Sequence, residues 1–243
     1  MVFPVKVPYT VSADISKYEG EAFNTAPDLY YLHQKQAQLS RFSHDIVSAD
    51  EQAGSLVKRM ADFAGKTPTE DIRELALQFE EDLAILQHGV LKAICFCFPS
   101  GFKPSEKLGL NFFDMHLPVG DGERLRGASE KVTALISREG ACFRRYVWTI
   151  TSLQGLSQHP DLVRPVPDGI SDLWFRTETQ TTIGLSDGVC LFFVKVNMYP
   201  LAEVFQEPFK KTVILESLAS MSDAVADYKN LQFIRSLLSH QSR

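Results

Sequence analysis

Two adjacent runs of strand-forming residues, 173–183 and 188–199, constrain the fold of this chain more than any other feature of its sequence. Only residues 184–187 separate the runs, and the Gly, Ser and Asp in this segment favour a tight turn. Parallel strands need a crossover of about a dozen residues, so the short connection predicts an antiparallel hairpin. Residues 90–98 and 143–151 are rich in β-branched and aromatic side chains and predict two further strands.

Most of the remaining chain follows the spacing of helices. Thr67 would cap one helix, with Pro68 in its first turn and Glu70 completing a capping box. Apolar residues then recur at steps of three or four along 72–86, and Gly89 would end this helix. The other predicted helices are 27–42, 48–64, 123–138 and 213–238.

This order of elements predicts an α+β fold, in which an antiparallel sheet has helices packed on one side. We expect residues 1–66 to form a helical N-terminal extension and residues 67–243 to form the main domain, the two joined in one compact unit. The composition, 44% hydrophobic and 23% charged, is that of an ordinary globular chain and supports one substantial core.

Charge and hydropathy exclude several classes of partner. The net charge is −5 and the two signs are interspersed, so the chain lacks the basic stripe that nucleic-acid backbones require. No apolar run approaches the roughly 20 residues of a membrane span, and the N-terminus lacks the features of a signal peptide. The four cysteines lie in apolar stretches without a CxxC motif, which indicates core thiols in a cytoplasmic protein.

The segment 98–120 combines loop-forming Pro and Gly with many apolar side chains. Such a loop must either fold onto the core or form the wall of a pocket for an apolar ligand. Haem is a ligand of this kind, because it needs hydrophobic walls and one axial side chain, and His116 beside Pro118 suits that role. The alternative is that His116 only caps a turn. We expect surface or capping roles for the other five histidines.

Polar side chains on two predicted strands form a second candidate site. Alternation places Arg176, Glu178 and Gln180 on one strand face, either as the solvated side of the sheet or as the polar wall of a pocket. In a pocket, Arg176 would keep Glu178 ionised for contact with an amine or an oxygen species. Arg144 and Arg145 alternate on the preceding strand, so at least one of them should face covered surface and need an anionic partner.

These segments resemble a known family, the alpha subunits of haem-dependent oxidative N-demethylase. Residues 98–109 (FPSGFKPSEKLG) and 116–119 (HLPV) resemble the family's FPSGW…EK-G…H-PV pattern. Residues 145–148 are similar to its R-x-N-W pattern, and residues 176–181 resemble R-x-E-R-Q-T. The matches occur in the right order, and the resemblance covers the chain from about residue 27 to residue 228.

The resemblance implies a haem-binding domain with a PAS-like antiparallel sheet and the activity of a dimethylamine monooxygenase subunit. In such a subunit haem iron activates dioxygen, a small secondary alkylamine is demethylated, and separate flavin and iron–sulfur partner subunits of reductase type supply the electrons. Carried over by position, His116 is the iron ligand of haem b, and Arg145 and Glu178 belong to the oxygen and amine site. The implied haem-binding residues are His116, Phe102, Met115, Trp148, Arg176 and Gln180.

The sequence departs from the family pattern at four positions. Phe102 stands in place of Trp, Gly120 in place of a common Pro, and Thr179 in place of Arg. Val147 stands where the family has Asn, which removes a hydrogen-bonding amide beside the expected oxygen site. Two alternatives therefore stay open: a non-enzymatic haem-based gas or redox sensor, and a module without haem that binds a small ligand or another protein.

Overall fold

The computed structural model describes residues 1–240, which form one antiparallel sheet of seven strands surrounded by helices. The strands are β1 (Ser16–Lys17), β2 (Val47–Ala49), β3 (Asp82–Gln87), β4 (Val90–Cys95), β5 (Cys142–Thr151), β6 (Trp174–Gly184) and β7 (Val189–Pro200). Their order across the sheet is β1-β5-β6-β7-β3-β4-β2. The predicted α+β class is therefore confirmed, whereas the PAS-like label stays a prediction.

The helices of residues 1–240 fall into three groups along the chain. The first group is α1 (Leu29–Ile46), α2 (Gly54–Phe63) and α3 (Ile72–Ala76). The second group is α4 (Phe112–Met115), α5 (Glu123–Gly127) and α6 (Ser129–Ile136). The third group is α7 (Leu201–Val204), α8 (Pro208–Ser220), α9 (Asp223–Tyr228) and α10 (Gln232–His240). None of them has the length and apolar character that a membrane span requires.

The hairpin predicted from residues 173–199 is confirmed. Strands β6 and β7 pair in antiparallel register from Trp174 opposite Pro200 to Gly184 opposite Cys190. Gly184 lies directly against the carbonyl of Arg138, where a Cβ atom would meet backbone, so a side chain at this position would displace the segment that leads into β5. The hairpin is the centre of the sheet, with β5 on one side and β3 on the other.

The long helix predicted along 72–86 is wrong in its second half. Helix α3 ends at Ala76, is capped by Asp71 rather than Thr67, and is followed by β3. In β3, Leu83 belongs to one core cluster and Leu86 to another, because the strand is covered on both faces. A strand buried on both faces has no polar alternation, so its apolar residues also fit helical spacing.

Helices cover both faces of the sheet, which corrects the expectation of helices on one side. On the first face, Leu83 and Ile85 of β3 pack with Val57 and Met60 of α2. On the second face, the intervening residues of β3 and β4 pack with Val132 of α6. We call these the helix-packed face and the inner face. A third cluster joins β5 and β6 to the C-terminal helices.

Residues 1–66 contribute to the sheet as well as to the helical layer. Helix α1 begins at Leu29, and before it the chain is extended, with β1 paired to β5. Strand β2 pairs with β4 at the opposite edge. Helical structure in this part of the chain is therefore confined to α1 and α2, and the division at residue 66 stays a prediction.

Candidate functional site

A cavity of about 540 Å³ lies on the inner face of the sheet. Its apolar wall comes from β3, β4, β7 and α6, through residues such as Leu86, Ile94, Phe192 and Val132. Its polar wall comes from β5 and β6, where alternate side chains face the same space. The register pairs Arg145 with Gln180, Val147 with Glu178, and Thr149 with Arg176.

Three segments outside the sheet close the cavity. They are the extended N-terminal residues 9–15, the loop 98–102, and the chain from Phe112 to Gly120, and residues 228–230 border it at the end of α9. The sequence pattern predicted the contributions of the second and third segments. It did not predict the contribution of the N-terminal segment, because that segment is held at the cavity by contacts with residues far away in the sequence. For example, the ring of Tyr9 makes an edge-on contact with Trp148, with 6.1 Å between the ring centroids.

His116 lies in this wall at the C-terminal end of α4. Its Nδ1 is 2.6 Å from the carbonyl oxygen of Phe112, and its ring stacks on the ring of Phe112 with 4.1 Å between centroids. Because Nδ1 faces a carbonyl, it carries the proton and donates, which leaves Nε2 as the unprotonated nitrogen. Burial lowers the pKa of His116, so the neutral ring is favoured. Within residues 1–240, Nε2 forms no hydrogen bond.

Arg176 and Glu178 form an ion pair that also fixes the neighbouring loop. The Arg176 guanidinium donates to Glu178, to Ser100 Oγ at 2.7 Å and to the carbonyls of Phe98 and Leu156 at 2.8 and 3.2 Å. Arg176 is only 1% exposed. All of its donor groups therefore serve the protein itself, and its main role in the cavity wall is to position Glu178 and the loop.

Glu178 is held in its ionised form. Burial alone would raise its pKa, but Arg176, the Ser100 hydroxyl and the Gln180 amide lower the pKa of Glu178 to about 2. The amide of Gln180 donates to Glu178 Oε2 at 2.7 Å, which leaves the Gln180 carbonyl oxygen as a free acceptor beside the carboxylate. The prediction that Arg176, Glu178 and Gln180 share one face is confirmed, and that face lines the cavity.

Arg145 lines the same cavity but is not neutralised by a contact. Its Nε is buried without a hydrogen-bond partner, and among residues 1–240 no hydrogen bond or ion pair joins its guanidinium to another side chain or carbonyl. Burial lowers the pKa of Arg145, and Glu178 opposes this from a distance. Of the two arginines that alternate on β5, Arg144 instead donates to Thr181 and to the carbonyl of Glu21.

The other residues carried over from the family pattern lie near the cavity in different ways. Phe102 and Met115 are half-buried and line it. Trp148 borders the cavity, but its ring packs against Tyr9 and Phe175 in the core beside the C-terminal helices. Val147 lines the cavity opposite Glu178. An apolar side chain therefore occupies the position of the family's Asn.

A surface or capping role was expected for His159; it is not at the surface, but its Nδ1 accepts the backbone N–H of Asp161 at 3.2 Å and so caps the turn. His159 has no exposed surface and stacks on Phe42 with 4.0 Å between ring centroids. Its Nε2 is 3.4 Å from Asp45, and Lys103 bridges Asp45 and Asp161 at 3.2 Å each. The Lys103 ammonium bridges the two carboxylates and balances one of their two charges, so this cluster ties α1 to the segments that carry Lys103 and Asp161.

Comparison with protein-family models matches this chain to a known family. A family model described as haem-dependent oxidative N-demethylase, alpha subunit-like, matches residues 27–238. No curated protein matches the chain. The matched region contains every side chain of the polar wall described above, together with His116.

Proposed function

The chain belongs to the haem-dependent oxidative N-demethylase alpha subunit-like family, and from this premise we propose that it binds haem b and demethylates a small secondary amine such as dimethylamine. The observation that carries the proposal is the geometry of His116. Its Nδ1–H donates to the Phe112 carbonyl and its Nε2 is free. Metal-binding histidines usually have this arrangement, because the hydrogen bond fixes the ring and its tautomer.

The cavity suits haem in its size and in its chemistry. A volume of about 540 Å³ with a mainly apolar wall lies in the range of cofactor and ligand pockets. Lys107 and Lys229 border it, are half-buried, and form no ion pair within residues 1–240, so they can bind the two propionates. His116 would be the iron ligand, with Phe102 and Met115 as apolar contacts.

Haem, when bound, would supply the iron that activates dioxygen. In the overall reaction an N-methyl group, dioxygen, two electrons and two protons give an N–H group, formaldehyde and water. The ionised Glu178 and the carbonyl oxygen of Gln180 accept hydrogen bonds from the protonated amine. Arg145 would offer its unpartnered donors to negative charge that develops in the cavity.

We propose that the electrons come from separate reductase-type subunits that carry flavin and an iron–sulfur cluster. The family description as an alpha subunit supports an assembly of more than one kind of chain. The cysteines within residues 1–240 are buried or half-buried, and Cys95 and Cys97 face each other in the core with their sulfurs 3.9 Å apart. We also propose a cytoplasmic location.

One observation favours a second candidate function, a haem-based sensor of gas or redox state. Val147 provides no hydrogen bond at the place where the family has Asn, and it lies opposite Glu178. A cavity with fewer donors suits reversible ligand binding better than turnover. The third alternative, a module without haem, would need another explanation for the free Nε2 of His116.

Purified protein from cells supplied with a haem precursor tests the proposal. We expect a Soret band, bound iron in one equivalent per chain, and a spectral shift when dimethylamine is added. His116→Ala should remove the haem, whereas His33→Ala, which replaces an exposed histidine on α1, should not. Full haem content in His116→Ala would reject the assignment of the ligand.

Oxygen consumption with a chemical reductant separates the first two functions. Amine-dependent oxygen uptake with release of formaldehyde supports the N-demethylase. Reversible binding of oxygen or carbon monoxide without amine-dependent uptake would instead support the sensor. Protein that never takes up haem would leave only the third alternative.

A further inference from the structure

The charges of the cavity wall do not balance. Glu178 is the one carboxylate among the residues that line the cavity within 1–240. The cationic side chains in the wall are Lys107, Arg145, Arg164, Arg176 and Lys229. Two haem propionates on Lys107 and Lys229 would still leave more positive than negative charge in this wall, so the cavity favours a further ligand group that brings negative charge.

Among the three guanidinium groups of the wall, that of Arg145 has neither a carboxylate nor a hydrogen-bond partner within residues 1–240. Arg176 is neutralised by Glu178, and Arg164 donates to the side chain of Gln158 at 2.9 Å. Lys107, Lys229 and Arg145 are all half-buried, but of these three only Arg145 has a polar side-chain atom, Nε, that is buried without a partner. Arg145 has a buried Nε and no hydrogen bond or ion pair within residues 1–240. A guanidinium whose Nε is buried without an acceptor is unfavourable, so a ligand group that accepts hydrogen bonds from Arg145 would stabilise this wall.

The acceptors for an amine lie next to this cation on the same face of the sheet. Gln180 is directly opposite Arg145, and Glu178 is two residues further along β6. Such a diagonal pair of positions is about 7–8 Å apart between Cα atoms, and the Arg145 side chain is long enough to shorten the gap. A small molecule with an ammonium group and a carboxylate can therefore contact both ends.

We propose that the amine substrate carries its own carboxylate, and that it is an N-methylated α-amino acid. This inference rests on the proposed function and names the substrate class of the same site. The methylammonium group binds between Glu178 and the carbonyl oxygen of Gln180. The carboxylate accepts hydrogen bonds from Arg145, and Val147 between them contacts the methyl group or an apolar side chain.

Dimethylamine is a poorer match to this wall. Its protonated form adds one more positive charge to a cavity that already has an excess of cations, and it leaves Arg145 without a partner. An N-methyl amino acid is a zwitterion, so it adds no net charge and satisfies both groups. Bidentate contact between a guanidinium and a carboxylate is also among the stronger hydrogen-bonding arrangements in proteins.

Calorimetric titration of the wild-type protein, in haem-loaded and haem-free form, tests the inference without requiring turnover. The ligands are N-methylglycine, its methyl ester and dimethylamine. The ester keeps the amine but has no carboxylate. We expect N-methylglycine to bind at least about tenfold more tightly than either of the other two, because it alone makes the charge-assisted contacts to Arg145.

Variants identify the residue that is responsible. Arg145→Met should remove the preference for N-methylglycine over its ester, and Arg145→Lys should keep part of it. Lys131→Met, which removes an exposed cation of α6 that does not line the cavity, is the matched control and should keep the preference. Circular dichroism of each variant checks that it is folded, and the comparison of acid and ester on the wild-type protein needs no variant.

The outcomes separate this inference from the proposed function. If dimethylamine or the ester binds as tightly as N-methylglycine, the carboxylate site is rejected, and a Soret band with amine-dependent oxygen uptake would still support the N-demethylase. If the acid is preferred but the protein never takes up haem, the N-demethylase is rejected while Arg145 remains a carboxylate site. A preference that persists in Arg145→Met also overturns the inference.

Discussion

Two regions of the molecule contain buried or half-buried cations, and they treat them in opposite ways. In the layer between α1 and β3, Lys35 has no exposed surface and donates to the carbonyls of Ala76 and Glu81, with Asp82 3.9 Å away. In the cavity, Arg145 has no such contacts. Lys35 is fully buried and Arg145 is half-buried, and only Lys35 has partners within the described residues.

This difference distinguishes charged side chains that stabilise the fold, such as Lys35, from Arg145, which is available to bind a ligand. Asp82 also accepts the backbone N–H groups of Cys97 and Phe98, so Lys35 belongs to a complete network. Burial raises the pKa of Asp82 to about 6, although Lys35 and these N–H groups lower it. Arg176 lies in the cavity wall but belongs with Lys35, because all its donors are used within the protein.

The largest expected effect comes from breaking the network of Lys35. Asp82→Ala should lower the free energy of unfolding by roughly 3–5 kcal/mol, because Lys35 stays buried without a counterion and two N–H groups lose their acceptor. Urea unfolding followed by tryptophan fluorescence measures the change. Asp50→Ala, which breaks the partly exposed pair with Lys92, is the control and should cost about 0–1 kcal/mol. Equal losses of unfolding free energy in Asp82→Ala and Asp50→Ala would contradict the distinction between a buried charge network and an exposed ion pair.

An intermediate effect is expected from acid titration of Glu178. Its pKa is about 2 in the folded protein and 4.5 as an ordinary value, so its contribution to stability is complete above pH 4.5 and is lost as the pH falls towards 2. The contribution is on the order of 3 kcal/mol at most. Unfolding of wild type and Glu178→Gln, measured from pH 6 to pH 2.5, should show a stability difference that shrinks with acid. A constant difference would mean that the carboxylate is not held ionised.

The smallest effect is expected where the cation lacks a partner. Arg145→Met should change the free energy of unfolding by less than about 1 kcal/mol, or increase it, because an apolar side chain replaces a charge that no contact stabilises. Arg176→Met is the matched comparison, and it should be clearly less stable since four acceptors lose their donor. Denaturant unfolding of both variants makes the measurement. A large loss of unfolding free energy in Arg145→Met would show that the charge of Arg145 stabilises the fold.

The parts of the fold that depend on local pattern could be predicted from the sequence. The β6–β7 hairpin follows from strand-forming residues on either side of a short turn, and both are local signals. The segment 72–86 could not be assigned correctly, because the network around Asp82 buries charges that look solvent-exposed in a helix. Lys35 gives no sign of its burial either, since its partners lie in other elements.

The candidate site was predictable in its residues but not in its arrangement. Alternation placed Arg176, Glu178 and Gln180 together, and proline and glycine marked the loop that carries His116. Which of the two arginines on β5 faces the cavity depends on the pairing register of β5 with β6. That register depends on contacts between distant segments, so local sequence patterns do not reveal it. The burial of His159 beside Phe42 likewise depends on a contact between distant segments.

Side chains alternate along β5 and β6, so one set of positions lines the cavity and would determine ligand specificity. The other set packs outside the cavity and stabilises the fold. Positions 145, 147, 180 and 182 can be randomised together, because among their immediate neighbours along each strand only Trp148 also borders the cavity. A library restricted to these positions would explore new specificities on an unchanged scaffold. The same division leaves a natural route by which related chains can diverge in what they accept.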